Sequence, residues 1–248
     1  MLMLFEGLSM EKIQNHIYRI KGLLMGNVYV IEASDGLTIV DTSKPGSVSQ
    51  IEKSLNRGGY QLSDIKRILI THAHWDHFGS LSELQALTGA KVYAHHRYES
   101  EVIRGEKTAR FASPSQLGGF DRFVYKYWLK PMRSSQLGVP VHYELTEGDR
   151  LDEVLPGFEV IDLPGHSPGH CGFWSEDQRI LIGGDILMNL PTDYLTLPLI
   201  AATPDLVEAK QSVRKIDAMN VKTLCLGHGR PLTRNTAEKI HMFVNNLN

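Results

Sequence analysis

The stretch RILITHAHWDHFG, Arg67 to Gly79, decides how this chain is read. Ile68, Leu69 and Ile70 form a short apolar run with the β-branched bias of a buried strand. Three imidazoles and a carboxylate, His72, His74, Asp76 and His77, follow at once. Side chains two apart on an extended chain point the same way, so His72 and His74 can reach one ion together. Asp76 and His77 come where the chain turns toward a helix over SLSELQAL, and they can face a second point nearby. A lone histidine is more often a hydrogen-bonded surface residue than a ligand, but nitrogen and oxygen donors clustered at one strand end are hard to explain as packing.

The run His72-Ala73-His74-Trp75-Asp76-His77 resembles the HxHxDH signature of the metallo-β-lactamase-fold hydrolases. Pro164-Gly165-His166-Ser167-Pro168-Gly169-His170, Gly183-Gly184-Asp185 and Gly227-His228-Gly229 follow in the order that family uses, so the resemblance covers most of the chain. It implies an α/β fold, a four-layer αββα sandwich of the metallo-β-lactamase type. It also implies a ligand set: His72, His74 and His166 for a first metal, Asp76, His77 and His228 for a second, and Asp185 between them. Asp76 is expected to act in catalysis as well. Asp41, at a strand end, resembles the aspartate that the family places below the metals, and an ordinary turn aspartate fits its spacing equally. His170 is expected to be structural or substrate-adjacent rather than a ligand, and Cys171 a small core residue.

At 248 residues the chain can bury a substantial core, and one domain over 1–248 is expected. Hydrophobic residues at 42% and charged residues at 22% fit a globular protein rather than a disordered or membrane-inserted one. A formal charge of −2 provides no broad basic surface, so nucleic acid is not an expected partner. Cys171 and Cys225 are too few for a disulfide framework. No basic, apolar and cleavable leader pattern opens the sequence and no long apolar run follows, so the expectation is a cytoplasmic protein without a membrane segment.

Taken in order, His16 to Ile20, Asn27 to Glu32 and Leu37 to Asp41 read as an antiparallel meander. A helix over Val48 to Asn56, the strand before His72, a helix over Leu81 to Leu87 and a strand over Ala90 to Tyr93 follow, an alternation that suggests helices covering a sheet. From His95 to about Val139 the pattern breaks into helical stretches separated by Pro114, Gly118-Gly119 and Pro131 and reads as a helical insertion. Between Arg97 and Arg133 it holds eight basic and four acidic residues, +4 locally, with Phe120, Phe123, Tyr125, Tyr127 and Trp128 adding apolar bulk. Three uses fit: a lid favouring a small anionic or acyl-bearing substrate, a self-packed helical pair, or a homodimer interface. Strands are then expected over Phe158 to Leu163, at CGFWSE, over Arg179 to Ile182 and over Thr223 to Leu226. Thr203 with Pro204 reads as the start of a helix bearing Leu206, Ala209, Val213 and Ile216, and Thr236 to Asn248 as a closing helix.

Imidazole and carboxylate donors without thiolate suit Zn²⁺ first, with Mn²⁺ or Fe²⁺ as alternatives. Two such ions roughly 3.5–4 Å apart lower the pKa of a shared water from about 15.7 toward about 7, so hydroxide can attack an ester, thioester or lactone carbonyl. The loop around His72 is similar to that of glyoxalase II thioesterases, although the twenty residues after His228 are too few for the helical region that holds glutathione in them. Acyl-homoserine-lactone lactonases resemble the chain in ligands and length, but they place a tyrosine just after the bridging aspartate, where Ile186, Leu187 and Met188 stand; Tyr194 would have to fold back. A β-lactamase ranks lower. A persulfide dioxygenase-like oxidoreductase would use one iron at His72, His74, His166 and Asp185, and a metal-stabilised binding module without turnover fits the ligand set least well.

Overall fold

The computed structural model describes residues 10–129, 138–190 and 194–247. Its first sheet runs β1 (Met10–Gln14), β2 (Ile17–Ile20), β3 (Tyr29–Ala33), β4 (Gly36–Val40), β5 (Ile65–Ile70), β6 (Lys91–His95) and β7 (Tyr143–Leu145), in that spatial order. The opening strands pair antiparallel, and β4 to β7 pair parallel. Parallel neighbours need crossovers, which α1 (Val48–Arg57) and α3 (Leu81–Thr88) supply. The second sheet has the order β13 (Thr223–Leu226), β10 (Ile180–Gly184), β9 (Cys171–Ser175) and β8 (Phe158–Asp162); a small hairpin joins β11 (Met188–Leu190) to β12 (Tyr194–Thr196).

Side-chain alternation builds four layers from these sheets. In β5, Ile68 and Ile70 face α1, α3 and α4 (Glu99–Ile103), where Ile51, Leu55, Leu84 and Val102 meet them. Leu69, one position out of phase, points the other way to Val160, Phe173, Ile182 and Cys225 between the sheets. The far face of the second sheet, with Ile161, Leu181 and Leu224, packs on Val213 and Ile216 of α6 (Leu206–Ala218) and Ile240 of α7 (Thr236–Asn245). Burial on both faces is why these strands read as nearly continuous apolar runs.

The 95–139 segment holds no strand between His96 and Leu129 among the described residues. It is built from α4, α5 (Gly119–Val124) and a π-helical turn over Tyr125–Leu129, and Leu117, Tyr125 and Leu129 pack on Ala201 and Ala202. Pro131, Met132 and Arg133 lie outside the described residues. The expected start of α6 is corrected. The N-cap of α6 is Asp205, whose carboxylate accepts from Glu208 N–H at 2.9 Å, while Thr203 spends its hydroxyl elsewhere. Tyr194, which could stand in for the lactonase tyrosine only by folding back, is 66% exposed. Among the described residues no helix is long and apolar enough to cross a membrane.

Asp41, His72, His166, Asp185 and His228 all lie just past the C-terminal ends of strands, after β4, β5, β8, β10 and β13. The sheets thus deliver every expected site residue to one rim. Phe173→Ala should empty fully buried space between the sheets and destabilise the protein by about 3–5 kcal/mol, whereas Leu87→Ala, at a 60% exposed position, should stay within about 0.5 kcal/mol; chemical denaturation reads both.

Candidate metal centre

The strand β5 ends at Ile70 and the chain stays extended through His74 before the single turn α2 (Trp75–Phe78). His72 and His74 therefore reach a first group with His166, and Asp76 and His77 reach a second with His228. Asp185 falls between them: its Oδ1 is 3.4 Å from His77 Nε2, and its Oδ2 is 3.4 Å from both His166 Nε2 and His228 Nε2. All seven expected residues are brought together.

Hydrogen bonds on the outer side of the cluster fix the imidazole tautomers. Asp41 Oδ2 accepts from Thr71 Oγ1 and from His77 Nδ1, both at 2.8 Å, and Asp41 Oδ1 accepts from Thr71 N–H at 2.9 Å. With its proton committed to Asp41, the Thr71 hydroxyl can only accept from His72 Nδ1, 3.1 Å away. His74 donates from Nε2 to the Arg110 carbonyl at 3.2 Å. Thr203 Oγ1 donates to Leu199 O at 3.0 Å and so accepts from His166 Nδ1 at 3.2 Å.

His72, His74 and His166 thus each keep a bare nitrogen lone pair on the other atom, aimed inward, and His77 turns its Nε2 the same way. His74 Nδ1 and His166 Nε2 face each other at 3.0 Å, while His228 Nε2 lies 3.3 Å from His77 Nε2 and 3.2 Å from Asp76 Oδ2. His72 Nε2 and Asp185 Oδ1 are buried with no hydrogen-bond partner. Lone pairs so close repel one another unless positive charge lies between them. Divalent cations fit this donor set, in number and in chemistry.

The electrostatics agree. Burial, reinforced by the neighbouring imidazoles, holds His72 and His166 well below the usual histidine range, so both stay neutral donors. Burial alone would also lower His77, but Asp185 and Asp41 outweigh it and raise that ring. Asp185, which burial would raise, is held well below the carboxylate range by His228 and His77.

His170 is not a donor to the cluster. Its Nδ1 donates to Leu163 O and its Nε2 accepts from Asp185 N–H, each at 3.0 Å, so it fixes the backbone that carries Asp185. A Cβ on Gly227 would lie 2.0 Å from Asp185 Oδ1, so that close approach requires glycine. Sequence reasoning missed Thr203 and the Arg110 carbonyl as orienting groups, and it missed Glu99, a buried carboxylate that bonds both ligand-bearing loops. A threonine before proline signals a helix start more strongly than a histidine partner, and a backbone carbonyl leaves no sequence signal.

Burial lowers His170 to about 4, below its ordinary 6.5. A depressed folded pKa means that the unfolded chain binds the proton first, so this contribution is intact above about 6.5 and is lost as pH falls toward about 4, roughly 3 kcal/mol in full. Acid unfolding of metal-free His170→Gln should therefore be less steep across that window than that of the parent; equal slopes would contradict the assignment.

Residues 22–228 match the family model of the metallo-beta-lactamase superfamily. The chain is 26% identical over 223 residues to the probable metallo-hydrolase YflN of Bacillus subtilis, covering 84% of this chain and 82% of that one. It is 27% identical over 126 residues to the hydroxyacylglutathione hydrolase GloC of Haemophilus influenzae, half of each chain. The crystal structure of the metallo-beta-lactamase family protein TTHA1429 from Thermus thermophilus superposes with a TM-score of 0.69 at 20% identity, over 95% of this chain and 80% of that one. With a family match across most of its length and all four motifs meeting at one rim, the chain belongs to the metallo-beta-lactamase superfamily.

Proposed function

We propose that the protein is a metal-dependent hydrolase with two divalent cations, zinc first among them, that cleaves an ester, thioester or lactone with a small apolar acyl group. The convergence of five imidazoles and two carboxylates from four strand ends carries this reading. A metallo-hydrolase name on one relative supports it, and another relative's name describes hydrolysis of a hydroxyacylglutathione.

Held by His72, His74 and His166 on one side and by Asp76, His77 and His228 on the other, with Asp185 between, the cations would supply a water of lowered pKa and polarise the substrate carbonyl. Burial raises the Asp76 carboxyl, but the hydrogen bond from His228 and the nearby imidazoles outweigh it and bring it to about 2. Asp76 is thus an anion at neutral pH, able to accept a hydrogen bond from the attacking water and orient it. Asp41, Thr71, Thr203 and the Arg110 carbonyl keep the rings from turning as charge develops. Both cysteines are buried between the sheets, and no thiol nucleophile is needed.

A cavity of about 290 Å³ opens on this cluster, bordered by His74, Asp76, His166, Asp185 and His228. Met25, Phe111, Val124, Leu129, Met188 and Leu199 form its apolar walls. Its size and apolar walls fit an aliphatic or aryl acyl group. A larger cavity of about 820 Å³ elsewhere borders none of the seven residues. A mononuclear iron oxidoreductase would leave Asp76, His77 and His228 assembled without a task, so the two-metal hydrolase is preferred.

Asp76→Ala should lose at least roughly 100-fold in kcat on a responsive ester or thioester while its far-UV circular dichroism stays unchanged; near-normal turnover with metal bound would count against the role. Val124→Asp should raise KM for an octanoyl ester by roughly tenfold and leave an acetyl ester nearly unaffected. An equal effect on both esters would remove this cavity as the acyl site.

A further inference from the structure

Glu99 opens α4, the first helix of the 95–139 segment, and is only 1% exposed. Its two oxygens serve different loops. Oε2 accepts from Ala73 N–H at 2.6 Å, and Ala73 stands between His72 and His74. Oε1 accepts from Ser167 Oγ at 2.8 Å and Gly169 N–H at 2.9 Å, and those residues follow His166 directly. One carboxylate therefore spans the loops that supply every member of the first histidine group.

The backbone on both sides is shaped to permit this contact. Tyr98, just before Glu99, has φ +72° and ψ −44°, a region that non-glycine residues rarely occupy, so the chain accepts strain where it presents the carboxylate. Across the gap, a Cβ on Gly169 would lie 1.9 Å from Arg97 O and 3.0 Å from Glu99 Cγ. Only glycine allows the loop after His166 to come so close.

We propose that Glu99 is a positioning residue for the first metal: it sets the distance between the His72–His74 loop and the His166 loop, and so the affinity of that metal position. This rests on reading His72, His74 and His166 as metal ligands. Three donors converge on an acceptor-only group, and glutamine cannot replace it. Whichever way a glutamine amide is turned, its NH₂ confronts a backbone N–H, of Ala73 in one orientation and of Gly169 in the other. An aspartate is one methylene too short to reach both loops.

The test is stepwise titration of chelator-stripped protein with Co²⁺, read by visible absorption, and with Zn²⁺ against a competing chelator. Parent, Glu99→Gln, Glu99→Asp and Glu101→Gln are compared; Glu101, paired with Lys107 on the outer side of α4, is the control. Glu99→Gln and Glu99→Asp should weaken one of the two binding steps by roughly 10–100-fold and change its cobalt spectrum, with the other step altered far less and Glu101→Gln matching the parent. If Glu99→Gln does not fold, Ser167→Ala removes a single donor, and a selective weakening of one step there supports the proposal equally. Unchanged steps and spectra in a folded Glu99 variant, or in Ser167→Ala where the Glu99 variants do not fold, would overturn it, as would equal weakening of both steps. No turnover is needed, so a missing hydrolytic activity would leave the result intact. A parent that binds no metal would overturn this proposal and the site reading together.

Discussion

Inward-facing nitrogen lone pairs repel one another, and the fold is built to hold them together all the same. Two imidazole nitrogens 3.0 Å apart, each with its proton committed on the far side of the ring, are not a stable pair by themselves. The fold holds them there with an outer ring of acceptors: Asp41, Thr71, Thr203 and a backbone carbonyl. Sheet packing in turn holds those acceptors, since every donor and most of its supports lie within a few residues of a strand end. Asp41 itself has φ +60°, so the chain is bent sharply as it leaves β4 to bring that carboxylate under the loop.

The 95–139 segment joins this arrangement at three places. Glu99 bonds the loops, the Arg110 carbonyl orients His74, and the Phe111 ring stacks on His74 with centroids 5.0 Å apart. The same segment walls the cavity with Val124 and Leu129. Among the described residues none of its basic side chains borders that cavity. Arg104 pairs with Glu106 and Glu144, Lys107 with Glu101, and Lys126 lies over Tyr127. The proposed acyl substrate rests on those apolar walls.

Much of this was legible in the sequence because the chemistry is local. Four of the seven donors lie in one hexapeptide at a strand end, and the others follow glycine-rich breaks after apolar runs. The helix over Val48–Arg57 and the strands β5, β8 and β13 follow directly from apolar period. What escaped depends on tertiary approach. Glu99 sits in a helix whose half-buried Glu101 looks no different in sequence, and only the fold buries Glu99 completely. Thr203 carried a helix-start signature that Asp205, two residues later, fulfils instead. The first strand, Met10–Gln14, is an edge strand whose partly buried pattern gives little contrast between its faces.

The most direct test of the central claim is a crystal structure of protein prepared without chelator, with anomalous data on both sides of the zinc, iron and manganese edges. The lone-pair arrangement predicts two peaks roughly 3.5–4 Å apart, one against His72 Nε2, His74 Nδ1 and His166 Nε2, the other against Asp76, His77 and His228, with Asp185 between. A cluster without anomalous density, its facing nitrogens bridged by protons or water, would contradict the account.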